Sequence, residues 1–169
     1  MPDAEEPFDP IALLRRFADA GVDFVVIGGV AGGVHGSSLS TYDVDLAYGR
    51  EPGNLEKLAA VLGSIEAKLR GAPPDVPFPL DAKTLAAGSN FTFTTTMGSV
   101  DILGDPAGAP PYEQLRRGAT LVDVEGRQIR VASLDHLIAM KEAAGRPKDK
   151  LQATEYRVIS DELRAPRGD

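Results

Sequence analysis

The chain contains no cysteine. A disulfide framework and a thiolate metal site are therefore both excluded. Only two histidines are present, too few for a histidine-rich zinc site. No apolar run approaches the roughly 20 residues that a membrane-spanning helix needs. The opening Met1-Pro2-Asp3-Ala4-Glu5-Glu6 is acidic and has no apolar core, so it does not read as a signal peptide. The expected compartment is the cytoplasm. Internal repeats and low-complexity tracts are also missing. The formal charge of −7 argues against a surface that coats nucleic acid. The positive charge is uneven, however. Arg116, Arg117, Arg127, Arg130, Lys141, Arg146, Lys148 and Lys150 all lie in the C-terminal third. They read either as a solvated helix face or as a local basic patch.

What is there is ordinary globular material: 169 residues, 43% of them hydrophobic, enough for one domain with a usable core. Residues 1–8 are expected to be a disordered leader and residues 9–169 a single domain. Asp9-Pro10 is a helix start, an N-cap aspartate followed by proline in the first turn. Ile11, Leu14, Phe17 and Ala18 then recur at helical spacing, and Gly21 ends that helix. The run Phe24 to Ile27 predicts a strand buried on both faces. A helix is predicted over 54–69, broken by Gly71-Ala72-Pro73-Pro74. Phe91 and Phe93 alternate with threonines in a strand pattern over 90–96, and the next strand spans 99–103. A hairpin is predicted around Glu125-Gly126-Arg127. Ser133 then caps a helix whose face carries Leu134, Leu137, Ile138 and Lys141, and Pro147 opens a last helix.

The informative stretch is Val25-Val26-Ile27-Gly28-Gly29 through Thr41-Tyr42-Asp43-Val44-Asp45-Leu46. It reads as strand, glycine turn, short helix, loop, strand. Residues i and i+2 of a strand share a face, so Asp43 and Asp45 project side by side. Two carboxylates about 6–7 Å apart repel by roughly 2–3 kcal/mol at an effective dielectric of 20. A divalent cation between them removes that penalty, and oxygen-only ligands suit magnesium. Between Gly28 and Gly36 stand five glycines in nine residues. Such a run either lets backbone amides approach a phosphate or packs a helix tightly against a sheet. It is neither a dinucleotide-binding fingerprint, because Val30 occupies the second glycine position, nor a phosphate loop, because Val34-His35 follow Gly33. A lone His35 in such a segment reads as structural, and His136 as a surface residue.

An apolar-Gly-Gly element, thirteen residues, then Asp-x-Asp-apolar resembles the nucleotidyltransferase superfamily signature, most closely its AbiEii-type, toxin–antitoxin-associated branch. Gly98-Ser99-Val100-Asp101-Ile102-Leu103 is similar to the strand that bears the third carboxylate of that family. Met140-Lys141-Glu142 through Lys148-Asp149 also resembles this branch. The resemblance implies an α/β nucleotidyltransferase fold, with a mixed, mostly antiparallel sheet flanked by helices. It implies catalytic and metal-ligating roles for Asp43, Asp45 and Asp101. It also implies nucleotide contacts from Gly28, Gly29, Ser37, Ser38, Lys141, Lys148 and Asp149, with Asp149 orienting Lys141 or a substrate hydroxyl. The implied activity is magnesium-dependent transfer of a nucleotide from a nucleoside triphosphate (NTP) to an acceptor hydroxyl. The expected acceptor is a tRNA 3′ end, with a hydroxyl on a partner protein or a small molecule such as an antibiotic as alternatives. A cognate toxin or antitoxin protein is an expected partner. The pattern departs from the family at Leu39, where an arginine is usual, and at Gln152, where an acid is usual. Those departures point to the rival reading, a catalytically weak nucleotide-binding or antitoxin-like module acting through a partner. The intact trio of acids points the other way.

Overall fold

The computed structural model describes residues 8–38 and 41–166. Leu39 therefore lies outside the described residues, as do residues 1–7 of the expected leader. Phe8 packs against the core. Helix α1 (Pro10–Asp19) starts as the sequence dictates: the Asp9 carboxylate accepts a hydrogen bond from the Ala12 amide at 3.1 Å. Its buried face is Leu13, Leu14 and Phe17, while Ile11 is exposed. The predicted stripe was thus displaced toward Ile11. Two stripes share Leu14 and Phe17, and only packing decides between them.

Strand β1 (Phe24–Ile27) is buried at all four positions. It runs directly into α2 (Gly28–Val34), and β2 (Asp43–Tyr48) returns antiparallel beside β1. Helix α3 (Pro52–Ser64) is shorter than predicted, and Lys68–Leu69 form an edge strand, β3. The helix stops in a turn that pairs the Glu66 amide with the Gly63 carbonyl and the Ala67 amide with the Leu62 carbonyl. Glu66 takes the left-handed conformation (φ 54°) that glycine usually supplies at such a stop. No glycine marks the position, so the sequence pattern ran on past it.

The remaining elements are α4 (Ala82–Ala87), β4 (Asn90–Thr95), β5 (Gly98–Leu103), α5 (Tyr112–Gly118), β6 (Thr120–Val124), β7 (Arg127–Val131), α6 (Leu134–Ala144) and α7 (Pro147–Arg164). The β6–β7 hairpin turns on Glu125 and Gly126, both with positive φ, and Arg127 already belongs to the strand.

Among the described residues seven strands form one sheet in the order β3-β4-β5-β2-β1-β7-β6. Pairs β5–β2 and β1–β7 are parallel and the other four are antiparallel. This is the mixed, mostly antiparallel sheet that the resemblance implied. Along β2, Val44 and Leu46 are fully buried while Asp43 and Asp45 are half-buried, so the acids share the opposite face. Among the described residues no helix is long and apolar enough to cross a membrane.

Candidate functional site

Register brings the acids together. In the parallel β2–β5 pair, Asp45 stands directly opposite Asp101 and Asp43 opposite Ser99. Equal phase in the pleat puts Asp45 and Asp101 on the same face, with Asp43 two residues along. The Asp45 carboxyl is pushed up to about 7, first by burial, then by the charges of Asp101 and Asp43, with Lys141 opposing. Burial also raises the pKa of Asp101, against the pull of Arg70. Arg70 reaches across β4 to donate to Asp101 Oδ1 at 2.9 Å and to the Phe93 carbonyl at 3.0 Å.

Gly28 is the residue that lets Asp45 sit where it does. Its φ is +69°, and a Cβ there would overlap the Asp45 carboxylate and lie 2.8 Å from its Cγ. A Cβ at Gly29 would lie 2.8 Å from Thr41 Cβ. These glycines therefore seat α2 against the acid-bearing strand.

The cations come from the α6–α7 junction. Ser133 caps α6, its Oγ accepting from the His136 amide. The helix ends at Gly145, whose left-handed φ of 69° turns the chain into α7. Asp149 is fully buried in the first turn of α7. It accepts from the Arg146 amide at 3.2 Å and from Arg146 Nε at 2.7 Å, and Lys141 Nζ lies 3.6 Å from its other oxygen. The Arg146 hydrogen bond holds the Asp149 carboxyl below its usual range, against the effect of burial. Asp149 is thus the anchor of two cations.

Both groups open on one cavity of about 370 Å³, whose wall includes Asp43, Asp45, Asp101, Lys141, Arg146 and Lys148. Gly29 and Ser37 line it as well. Gly28 and Asp149 instead border an adjoining cavity of about 230 Å³ that shares Asp45, Lys141 and Arg146. Ser38 is exposed and lines neither. Sequence reasoning passed over Arg70, Arg146 and Tyr156 as site residues. Arg70 carried no local signal, since only strand pairing brings it to Asp101. The two histidines lie apart: His35 Nε2 is 2.8 Å from the Ala132 carbonyl, as a structural role requires. His136 is not a surface residue but half-buried, with Nδ1 enclosed and unpartnered, because Gly118 packs against its ring.

Among the described residues no three acidic or histidine side chains stand as a ready metal cage. Magnesium does not need one. It is commonly held by one or two carboxylates, with waters and substrate phosphates completing the shell. The facing carboxylates of Asp45 and Asp101, with Asp45 pushed above its usual range by burial and by the charges of Asp101 and Asp43, fit that requirement.

The basic residues of the C-terminal third do not gather here. Arg116 pairs with Asp23 at 3.2 Å, and Arg127 pairs with Asp19. Asp23 precedes β1, at the end opposite Ile27, which is the residue that faces Asp45. Lys141, Arg146 and Lys148 are the members of the cluster that line the large cavity.

No protein-family model and no curated protein matches this sequence. Solved structures do resemble the fold. The lincosamide antibiotic adenylyltransferase LnuA, lincomycin-bound, has a TM-score of 0.58 at 14% identity, over 88% of this chain and 94% of that one. ANT(2'')-Ia in complex with adenylyl-2''-tobramycin has a TM-score of 0.56 at 16% identity, over 90% and 88%. An antigenic nucleotidyltransferase-like protein from Paracoccidioides brasiliensis has a TM-score of 0.52 at 15% identity, over 92% and 75%. At such identities the likeness is one of fold, and the fold is that of nucleotidyltransferases.

Proposed function

We propose that the protein transfers a nucleotide from an NTP to the hydroxyl of an acceptor, with magnesium at the acids. One observation carries this reading: Asp45 and Asp101 lie abreast on parallel strands, Asp43 shares their face, and the same cavity is walled by three cations. Bound between Asp43, Asp45 and Asp101, magnesium would supply Lewis acidity toward phosphate oxygens and the attacking hydroxyl. The chain's own groups do the rest. Lys141, Arg146 and Lys148 neutralise the triphosphate. Asp149 positions the first two of these. Arg70 holds one oxygen of Asp101, leaving the other to take the proton from the acceptor hydroxyl. The deprotonated acceptor oxygen then bonds to the α-phosphorus, the bond from that phosphorus to the oxygen bridging to the β-phosphate breaks, and pyrophosphate leaves with the electron pair.

The acceptor expected from the resemblance was a tRNA 3′ end. The dispersal of the cations favours a small-molecule hydroxyl instead. A polyanion is docked by several phosphate contacts near the reacting end, yet Arg116 and Arg127 lie toward the far end of the sheet and are already paired. LnuA and ANT(2'')-Ia, whose structures hold lincomycin and an adenylylated tobramycin, are consistent with this choice. A toxin–antitoxin partner rests on the sequence resemblance alone.

The test is incubation with each labelled NTP and magnesium, in parallel with total tRNA, an aminoglycoside and a lincosamide, at low and high salt. Label on a small molecule, with weak salt dependence, supports the reading. Label on tRNA that falls steeply with salt restores the RNA acceptor. Nucleotide binding with no transfer to any acceptor class leaves the catalytically weak module.

A further inference from the structure

The two edges of the sheet are guarded differently. Strand β3 is two residues long and contains Lys68. Arg70 follows it, and Pro73-Pro74 come soon after. A short strand, a lysine and nearby prolines keep an edge from pairing with another chain. Strand β6 ends the sheet on the other side and has none of these. It is five residues long, and its register with β7 is unbroken, so no bulge twists it away. Thr120, Val122 and Val124 are β-branched and favour a strand. In an antiparallel pair, alternate residues turn N–H and C=O away from the neighbouring strand. Among the described residues the β6 backbone makes no hydrogen bond outside its ladder with β7. Thr120, Leu121 and Asp123 are exposed, Leu121 by 58%.

The pleat sorts β6 into two faces. Val122 stands opposite Ile129 and packs against the core. Leu121 stands opposite Arg130 and Asp123 opposite Gln128, on the other face. Among the described residues neither Arg130 nor Asp123 forms an ion pair. Asp123 accepts only from the Gly126 amide and the Gln128 side chain. This face therefore carries an unmatched cation beside Leu121 and an unmatched anion two residues further along β6.

We propose that β6 pairs with β6 of a second copy, antiparallel about a two-fold axis at Val122. That register uses all five residues. It sets Val122 against its own copy, Thr120 against Val124, and Leu121 against Asp123. The core-side row then runs Ile129, Val122, Val122, Ile129 across the two copies and is apolar throughout. On the other face, Arg130 of each copy reaches past Leu121 to Asp123 of the other. The half-turn matches the two charges that one chain leaves unmatched. That self-complementarity selects a second copy over an unrelated strand. Strand β6 lies three strand spacings from β2, roughly 14 Å, so the pairing is separate from the acids and independent of the nucleotidyl-transfer reading. A five-residue ladder is short. The dimer therefore belongs with weak, reversible interfaces, with a Kd on the order of 10–100 µM.

The experiment is sedimentation equilibrium of the full chain, from well below that constant to well above it. Wild type should pass from monomer to dimer. Leu121→Glu sets a like charge opposite Asp123 of the second copy, and Arg130→Glu does so from the neighbouring strand. Each change counts twice across the axis, so each should raise the Kd about tenfold. Neither side chain belongs to the core, so circular dichroism of the dilute variants should match wild type. Val122→Cys, in a chain without cysteine, should cross-link under mild oxidation, because facing Cα atoms lie about 4.5–5.5 Å apart. Val158→Cys, exposed on α7, should not. A monomer at every concentration overturns the pairing. So does a dimer that both glutamate variants leave intact, or cross-linking as ready at Val158→Cys as at Val122→Cys.

Discussion

Replacing Asp45 with asparagine keeps the size of the side chain and removes its charge. The Asp45 carboxyl titrates at about 7 in the fold, against 3.8 unperturbed, chiefly through burial and then through Asp101 and Asp43. The folded state therefore holds this proton more tightly than the unfolded chain does. Stability from this source is full below about pH 4 and is lost as pH rises through about 7. A gap of roughly 3 pKa units, at 1.36 kcal/mol each, is worth on the order of 4 kcal/mol. In Asp45→Asn the group cannot ionise, so that loss should vanish. Urea unfolding at pH 4 to 8 in EDTA is the assay. Wild type should weaken by up to about 4 kcal/mol across the range, and the variant should be the more stable protein at pH 8. Millimolar magnesium should return part of the deficit to wild type and little to the variant, because ion binding to the native state adds stability by mass action. Nucleotide transfer should be abolished in the variant. Parallel pH slopes for the two proteins would refute the argument that charge repulsion is concentrated at Asp45. Equal stabilisation of both by magnesium would refute the metal assignment.

Three further outcomes are expected. Lys141→Met preserves the apolar stem and the helix propensity, so it should weaken NTP binding about tenfold in calorimetry without unfolding α6; an unchanged dissociation constant would remove Lys141 from the phosphate site. Gly28→Ala forces a left-handed alanine, costing about 1–2 kcal/mol, and pushes the Asp45 carboxylate aside; thermal melting should fall by several degrees and transfer by more than tenfold. Arg70→Met breaks a half-exposed pair, so it should cost under about 1 kcal/mol in urea unfolding. Because Arg70 pulls the Asp101 pKa down, its loss should move the acid limb of the kcat–pH profile to higher pH, which a merely structural arginine would not do.

The sequence by itself determined the local elements. Four consecutive apolar residues and a glycine pair made β1 and its turn into α2. The i, i+2 spacing put Asp43 and Asp45 on one face, because the pleat has a period of two residues. Asp9 and Ser133 announced two helix starts, since a cap is a contact within four residues. Each of these is settled by neighbours in the chain.

What only the tertiary structure decided depends on register and packing between distant segments. The pairing of Asp45 with Asp101 joins residues more than fifty positions apart in the chain, and a shift of one residue in β5 would have turned Asp101 into the core. Arg70 reaches Asp101 only because β3 and β4 bring the chain alongside β5. The α3 stop was hidden because Glu66, not glycine, takes the left-handed position there. The cations after residue 115 looked like one patch in sequence, and the sheet sent Arg116 and Arg127 away from the acids. A residue's local conformation is written in its immediate neighbours. Its partners across the sheet are set by which strand the backbone hydrogen bonds place beside it.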